Sequence, residues 1–233
     1  MAGEWIPLKV SDGSNMRGYL ARPETQNGYG LLIIQEAFGV NAHIRDVTER
    51  FAAEGYLAIA PELYHRTGEG VEIAYTDMQG ASPHREALTD DALIADLQAA
   101  YDWLAGEVGE KVASVGFCMG GSASFLANTL FPLTCAVSFY GGKIADAYLE
   151  RALQLHGPML MLWGGLDKHI SQEQKRKIVD KLDYLMRPYV NIDFSNADHG
   201  FFCDARAAYN PKAAAVAWPL VLAFLKTHFT YLT

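Results

Sequence analysis

Apolar residues along this chain fall into two patterns, short unbroken runs and longer stretches at helical spacing, and the two alternate. Leu31-Leu32-Ile33-Ile34 is a continuous apolar run after Gly30, the mark of a strand buried on both faces. Residues 42–54, closed by Gly55, carry helix signals. Residues 57–60, stopped by Pro61, read as a second buried strand. Upstream, residues 5–22 alternate loosely around the turn Ser11-Asp12-Gly13, which predicts a hairpin. Residues 65–84 are polar with several glycines and read as a long loop, a kind of segment that is usually functional or mobile. In 90–105, Leu93, Leu97, Ala100, Tyr101 and Leu104 recur at helical spacing. Beyond them the pattern gives strands at 111–117, 135–139, 158–163 and 190–194, and helices at 120–130 and 171–185, the latter with Ser171 as N-cap. A last helix spans 205–229, bent or interrupted at Pro211 and Pro219. Strands alternating with helices imply an α/β fold with a mainly parallel central sheet and helices on both faces. No repeat, low-complexity segment or second domain is visible, so one domain over residues 1–233 is expected.

Composition narrows the function classes. A formal charge of -8 argues against nucleic acid as a partner, because phosphate neutralisation needs clustered Lys and Arg. No apolar run reaches the length of about 18 residues that a membrane span needs, and the first ten residues, with Glu4 among them, do not read as a signal peptide. The three cysteines, Cys118, Cys135 and Cys203, are too few for a disulfide framework and lack zinc-ligand spacing. The expectation is a cytoplasmic monomer with no zinc site and no membrane partner.

The chemistry concentrates at three strand ends. Gly116-Phe117-Cys118-Met119-Gly120-Gly121 has the form G-x-C-x-G-G between a strand and a helix, which fits a nucleophile elbow. There a strained turn projects the thiol, the helix N-terminus favours a thiolate, and the Met119 amide is placed to donate to an oxyanion. The bland alternative is a structural turn with a buried cysteine. Gly164-Gly165-Leu166-Asp167 closes the next strand but one, and Asp198-His199-Gly200-Phe201 follows the last strand. Nucleophile, acid and histidine in that order match a triad on an α/β-hydrolase fold, with Cys118 attacking, His199 as base and Asp167 orienting the ring. Asp198 competes for the acid role by proximity. After strand 31–34, Ala37 is positioned to supply a second oxyanion amide, and Glu36 stands where a buried carboxylate would exchange a proton with the thiol, unless it merely faces water or Arg45.

The chain resembles the dienelactone hydrolase family (carboxymethylenebutenolidases) at Gln35-Glu36-Ala37-Phe38-Gly39-Val40-Asn41, Pro61-Glu62-Leu63-Tyr64, the elbow, Gly164-Gly165-Leu166-Asp167 and His199-Gly200-Phe201. The final helix, with Tyr209, its alanines and Trp218, is similar as well. The resemblance implies an α/β-hydrolase fold and hydrolysis of an enol-lactone to an open-chain, maleylacetate-type dicarboxylic acid, as in chlorocatechol breakdown. It implies Cys118, His199 and Asp167 as triad, Glu36 activating a resting thiol that is held away from the triad, the Ala37 and Met119 amides as oxyanion hole, and no metal or organic cofactor. Where family members place a carboxylate-binding arginine four residues after the histidine, this chain has Cys203. Arg206, Arg85 and Phe38 are the remaining substrate-binding candidates. The departure at Cys203 leaves open an alternative, a broader carboxylesterase or thioesterase acting on uncharged esters. A non-catalytic ligand-binding protein of this fold is a third class, disfavoured because no triad member is missing. A redox-sensor role for Cys118 would need Cys135 or Cys203 as resolving partner.

Overall fold

The computed structural model describes residues 3–230, which divide into two compact units, one ending at Ala113 and the other beginning at Ser114. In the first unit, β1 (Glu4–Lys9) and β2 (Asn15–Ala21) form the expected antiparallel hairpin, with Gly13 at positive φ in its turn. β3 (Gly30–Ile34) and β4 (Leu57–Pro61) are buried at every position and run parallel, and β2 joins β4 antiparallel, giving the order β1-β2-β4-β3. Helix α1 (Ala42–Ala53) packs on β4 and β2. It is capped by Asn41, whose side chain accepts from the Ile44 amide, and it ends at Gly55 with φ +95°.

The segment expected to be a loop at 65–84 contains a helix, α2 (Met78–Ala87), started by Asp77, which accepts from the Gly80 amide. Its sequence hides it: Pro83 stands inside, and Ala81 is its one buried residue, so no apolar stripe announces it. Helix α3 (Asp90–Val108), with Thr89 as N-cap, packs on β3 and β4 through Leu93, Leu97, Ala100, Tyr101 and Leu104.

In the second unit β5 (Val112–Phe117), β6 (Ala136–Phe139), β7 (Met159–Gly164) and β8 (Tyr189–Phe194) lie in that order, all parallel. β5, β6 and β7 are buried throughout, as their unbroken apolar runs require. Helix α4 (Met119–Leu130) packs on β6. A short π-helix (Ile144–Tyr148) and a 3₁₀-helix (Leu149–Gln154), not evident from the sequence, separate β6 from β7. Helix α5 (Gln172–Tyr184) carries a capping box between Ser171 and Gln174. Helix α6 begins later than expected and runs without a break through Pro219 (Pro211–Thr230). Asn210 accepts from the Ala213 amide, and Pro211 takes the first helical position, where its missing N–H costs nothing. By length and composition α6 is apolar enough to cross a membrane, a property that the expectation from unbroken apolar runs did not register, because Lys212 and Lys226 interrupt the run. Its Ala217, Val221 and Leu225 are buried.

Candidate active site

The turn from β5 into α4 is built by two glycines. A Cβ on Gly116 would lie 1.8 Å from the Gly120 carbonyl oxygen, and one on Gly121 would lie 2.4 Å from that of Phe139. Strand and helix therefore meet backbone to backbone. Cys118 sits at the apex with φ 55° and ψ -114°, a sparsely populated conformation that costs about 1–3 kcal/mol and persists only where the surroundings over-determine it. Those surroundings are visible. The Cys118 amide donates to the Phe139 carbonyl (3.0 Å), and the Cys118 carbonyl accepts from the Gly121 amide (3.0 Å). Its side chain makes no capping bond to the helix it precedes. The sulfur instead lies 3.1 Å from His199 Nε2, at a helix N-terminus whose dipole favours negative charge.

Asp167 follows β7. Its Oδ1 accepts from the amides of His169 (2.7 Å) and Ile170 (3.2 Å), and its Oδ2 lies 2.8 Å from His199 Nδ1. The turn Gly164–Asp167 and the loop after β8 are stitched together by Gly165 N–H to Phe194 O (2.8 Å) and Leu166 N–H to Ala197 O (2.9 Å). The structure brings Cys118, His199 and Asp167 into one hydrogen-bonded line. Asp198 does not compete for the ring, because its carboxylate accepts from the backbone amide of His199.

The electrostatics follow from this line. Burial among Tyr140 and neighbouring apolar groups works to push the His199 pKa down, but the hydrogen bonds and charges of Asp167 and Cys118 outweigh it and raise it to about 10. For Asp167 burial is likewise the largest single influence and pushes upward. It is overcome by His199 and the two backbone amides, which hold the carboxyl below its usual range. Both shifts favour a proton on His199 facing each partner, with Nδ1 toward Asp167 and Nε2 toward the sulfur. The resting arrangement implied by the resemblance, with the thiol turned away, is not what is found, since the sulfur already engages the imidazole.

The other anticipated residues are distributed as follows. Met119 opens α4 directly after Cys118. In the first unit Glu36, Ala37 and Phe38 share the loop after β3, and all three are buried. Gln35 pins that loop by donating to Glu36 O (3.2 Å) and accepting from the Leu63 amide (3.2 Å), while Tyr64 Oη donates to Ala37 O. Phe38 packs edge-on against Tyr75. Arg85 is exposed on α2, not in a loop. Arg206 is half-buried, and its guanidinium lies along Gly200, where a Cβ would come within 2.2 Å of Nη1. Cys135 and Cys203 are both fully buried, and burial pushes the Cys135 thiol well above its ordinary pKa. Sequence reading missed His169, whose ring stands edge-on to His199 at 5.2 Å, and Lys175, whose ammonium donates to the Gly164 carbonyl. A signal for Lys175 existed: it occupies the buried stripe Lys175, Ile178, Leu182.

The family model described as the dienelactone hydrolase family matches residues 16–229. The chain belongs to the dienelactone hydrolase family. A relative in Synechocystis, provisionally named a carboxymethylenebutenolidase, is 36% identical over 223 residues, covering 90% of this chain and 91% of its own. One from Escherichia coli K12 with the same provisional name is 34% identical over 232 residues, covering 94% and 84%. The crystal structure of a provisionally named dienelactone hydrolase from Klebsiella pneumoniae superposes with TM-score 0.86 at 32% identity, covering 97% of this chain and 99% of that one. The α/β-hydrolase fold class is thereby shown, and with it membership among hydrolases of esters and lactones.

Proposed function

We propose that this dienelactone hydrolase family member opens an enol-lactone by nucleophilic catalysis at Cys118. The observation that carries the reading is the unbroken line Cys118 Sγ to His199 Nε2 (3.1 Å) and His199 Nδ1 to Asp167 Oδ2 (2.8 Å) at an elbow with positive φ. The sulfur attacks the lactone carbonyl, and the developing oxyanion takes the Met119 amide. Collapse expels the enolate oxygen, which receives the Nε2 proton of His199. The now neutral imidazole draws a proton from water as that water attacks the thioester, and collapse restores the thiolate beside the imidazolium and releases the acid, which gives its proton to solvent. The freed enol tautomerises to a ketone, giving a maleylacetate-type product. The family resemblance carries two further roles into the proposal, Glu36 as the carboxylate assisting the thiol and the Ala37 amide as second oxyanion donor.

Two observations favour a second reading, a carboxylesterase or thioesterase for uncharged esters. The position four residues after His199 is Cys203, fully buried and uncharged, and Arg85 is exposed on α2. Steady-state hydrolysis of dienelactone beside 4-nitrophenyl acetate, with Cys118→Ala as control, separates the two. A Cys118-dependent preference for dienelactone is the expected result. Cys118-dependent turnover of the neutral ester alone would move the substrate class to the second reading, and full activity in Cys118→Ala would overturn both.

A further inference from the structure

Lys175 stands where both helix electrostatics and burial argue against a lysine. It lies in the first turn of α5, the positive end of the helix dipole. It is 5% exposed, although lysine is almost never buried unless paired. Its Nζ donates to two acceptors, the Gly164 carbonyl (2.8 Å) and Asp193 Oδ2 (2.8 Å). Both acceptors lie at the roots of the loops that hold the triad. The Gly164 carbonyl also accepts from the Asp167 amide (3.4 Å), closing the turn on which Asp167 is carried. Asp193 lies on β8, next to Phe194, whose carbonyl takes the Gly165 amide.

The two loops meet backbone to backbone at this point. A Cβ on Gly164 would be 2.7 Å from the carbonyl oxygens of Ala197 and Asp198, and one on Gly165 would be 2.6 Å from Ser195 Cα. Glycine leaves no side chain at either position to interlock with the facing loop, so the register rests on the backbone bonds between the loops and on the ammonium. The ammonium ties the carboxyl end of β7 to that of β8 from the helix side.

We propose that Lys175 is a positioning residue for the hydrolytic reaction, its ammonium clamping the ends of β7 and β8 so that Asp167 stays in hydrogen-bond register with His199. The inference rests on the triad reading above. Its physical warrant is that a displacement near 1 Å at such a site costs on the order of a hundredfold in rate, while the fold tolerates it. The fold should survive Lys175→Met. The new side chain keeps the apolar stem, the side chain of Asp193 is 33% exposed and so can turn to water, and the Gly164 carbonyl keeps its bond from the Asp167 amide.

The test uses the full-length enzyme with dienelactone and 4-nitrophenyl acetate. In Lys175→Met, kcat should fall about tenfold or more with KM within about twofold. The alkaline limb of the pH–rate profile should move to lower pH, because a loosened Asp167 no longer holds the proton on His199. The downfield proton NMR resonance of the His199–Asp167 hydrogen bond should weaken or shift. Lys175→Arg, which restores donors to both acceptors, should recover most of the rate and the resonance. Asp193→Asn, which leaves Lys175 a neutral acceptor, should move both readouts in the same direction by less, and it serves as the test should Lys175→Met fail to fold. An unmoved pH limb and an intact resonance in the folded variants overturn the proposal, even if melting temperature drops. Failure of the underlying reading looks different: there Cys118→Ala and His199→Ala retain activity, whereas failure of this inference alone leaves those two inactive and the Lys175 variants like wild type.

Discussion

The two acidic residues near His199 make opposite uses of it. Asp167 takes the ring Nδ1 at 2.8 Å, whereas Asp198 takes the backbone amide of His199 at 2.7 Å. Only the first contact selects the tautomer that leaves Nε2 facing sulfur. An amide at position 167 removes the charge and allows the ring to turn its other tautomer toward Cys118. Asp167→Asn should therefore lower kcat by about 10³–10⁴-fold, the scale seen when a triad acid is neutralised with geometry intact. Asp198→Asn keeps an oxygen acceptor for the same amide and should leave kcat within about threefold. Steady-state kinetics of the two variants side by side decides the matter. Equal losses would mean that the ring contact is not what matters at position 167.

At the scale of elements, the elbow is a device of close approach. A methyl group on Gly116 would lie 1.8 Å from a backbone oxygen that cannot rotate away, so Gly116→Ala must push β5 and α4 apart. A loss of about 3 kcal/mol or more, or failure to accumulate folded protein, is the expected outcome of such overpacking. Gly106 provides the contrast. It lies in α3, where an added methyl would meet nothing within 4 Å and φ is ordinary, so Gly106→Ala should stabilise by about 0.5–1 kcal/mol. Denaturant melts of both variants give the comparison, and a neutral Gly116→Ala would refute the tight elbow. The same elements show what a sequence can reveal. β3, β4, β5 and β7 are legible because strands buried on both faces need unbroken apolar runs, and α1, α3 and α5 because their caps and stripes agree. α2 is not legible, because its one buried residue leaves no stripe and Pro83 reads as a breaker. The start of α6 is misplaced by the sequence pattern because 205–210 is rich in helix-favouring alanine but turns rather than winds. Of the site, Cys118, Asp167 and His199 are legible from strand ends. The contribution of Lys175 is not, since a cation on an apolar stripe has meaning only once the two strand ends that it bridges are known.

At the scale of the whole molecule, the active-site charges leave a mark on stability that activity measurements do not need to see. The His199 pKa of about 10 lies above the unfolded value near 6.5. The native state therefore holds a proton that the unfolded chain releases between those values. The resulting stabilisation is complete below about pH 6.5 and is lost as pH rises toward 10. Asp167, held below its usual range, acts on the other side, with stability present above about pH 4 and lost as pH falls through its folded value. A chain of net charge -8 also gains repulsion as pH rises, so an alkaline decline of the wild type alone would not identify the cause. The difference between variants does. Melting temperature should fall more steeply between pH 6.5 and 10 in the wild type than in His199→Gln, where the titrating group is gone. Cys118→Ala should lie between the two, because the sulfur contributes part of the upward shift and Asp167 the rest. Parallel curves for all three proteins would mean that the imidazolium is not held by its partners in the folded state.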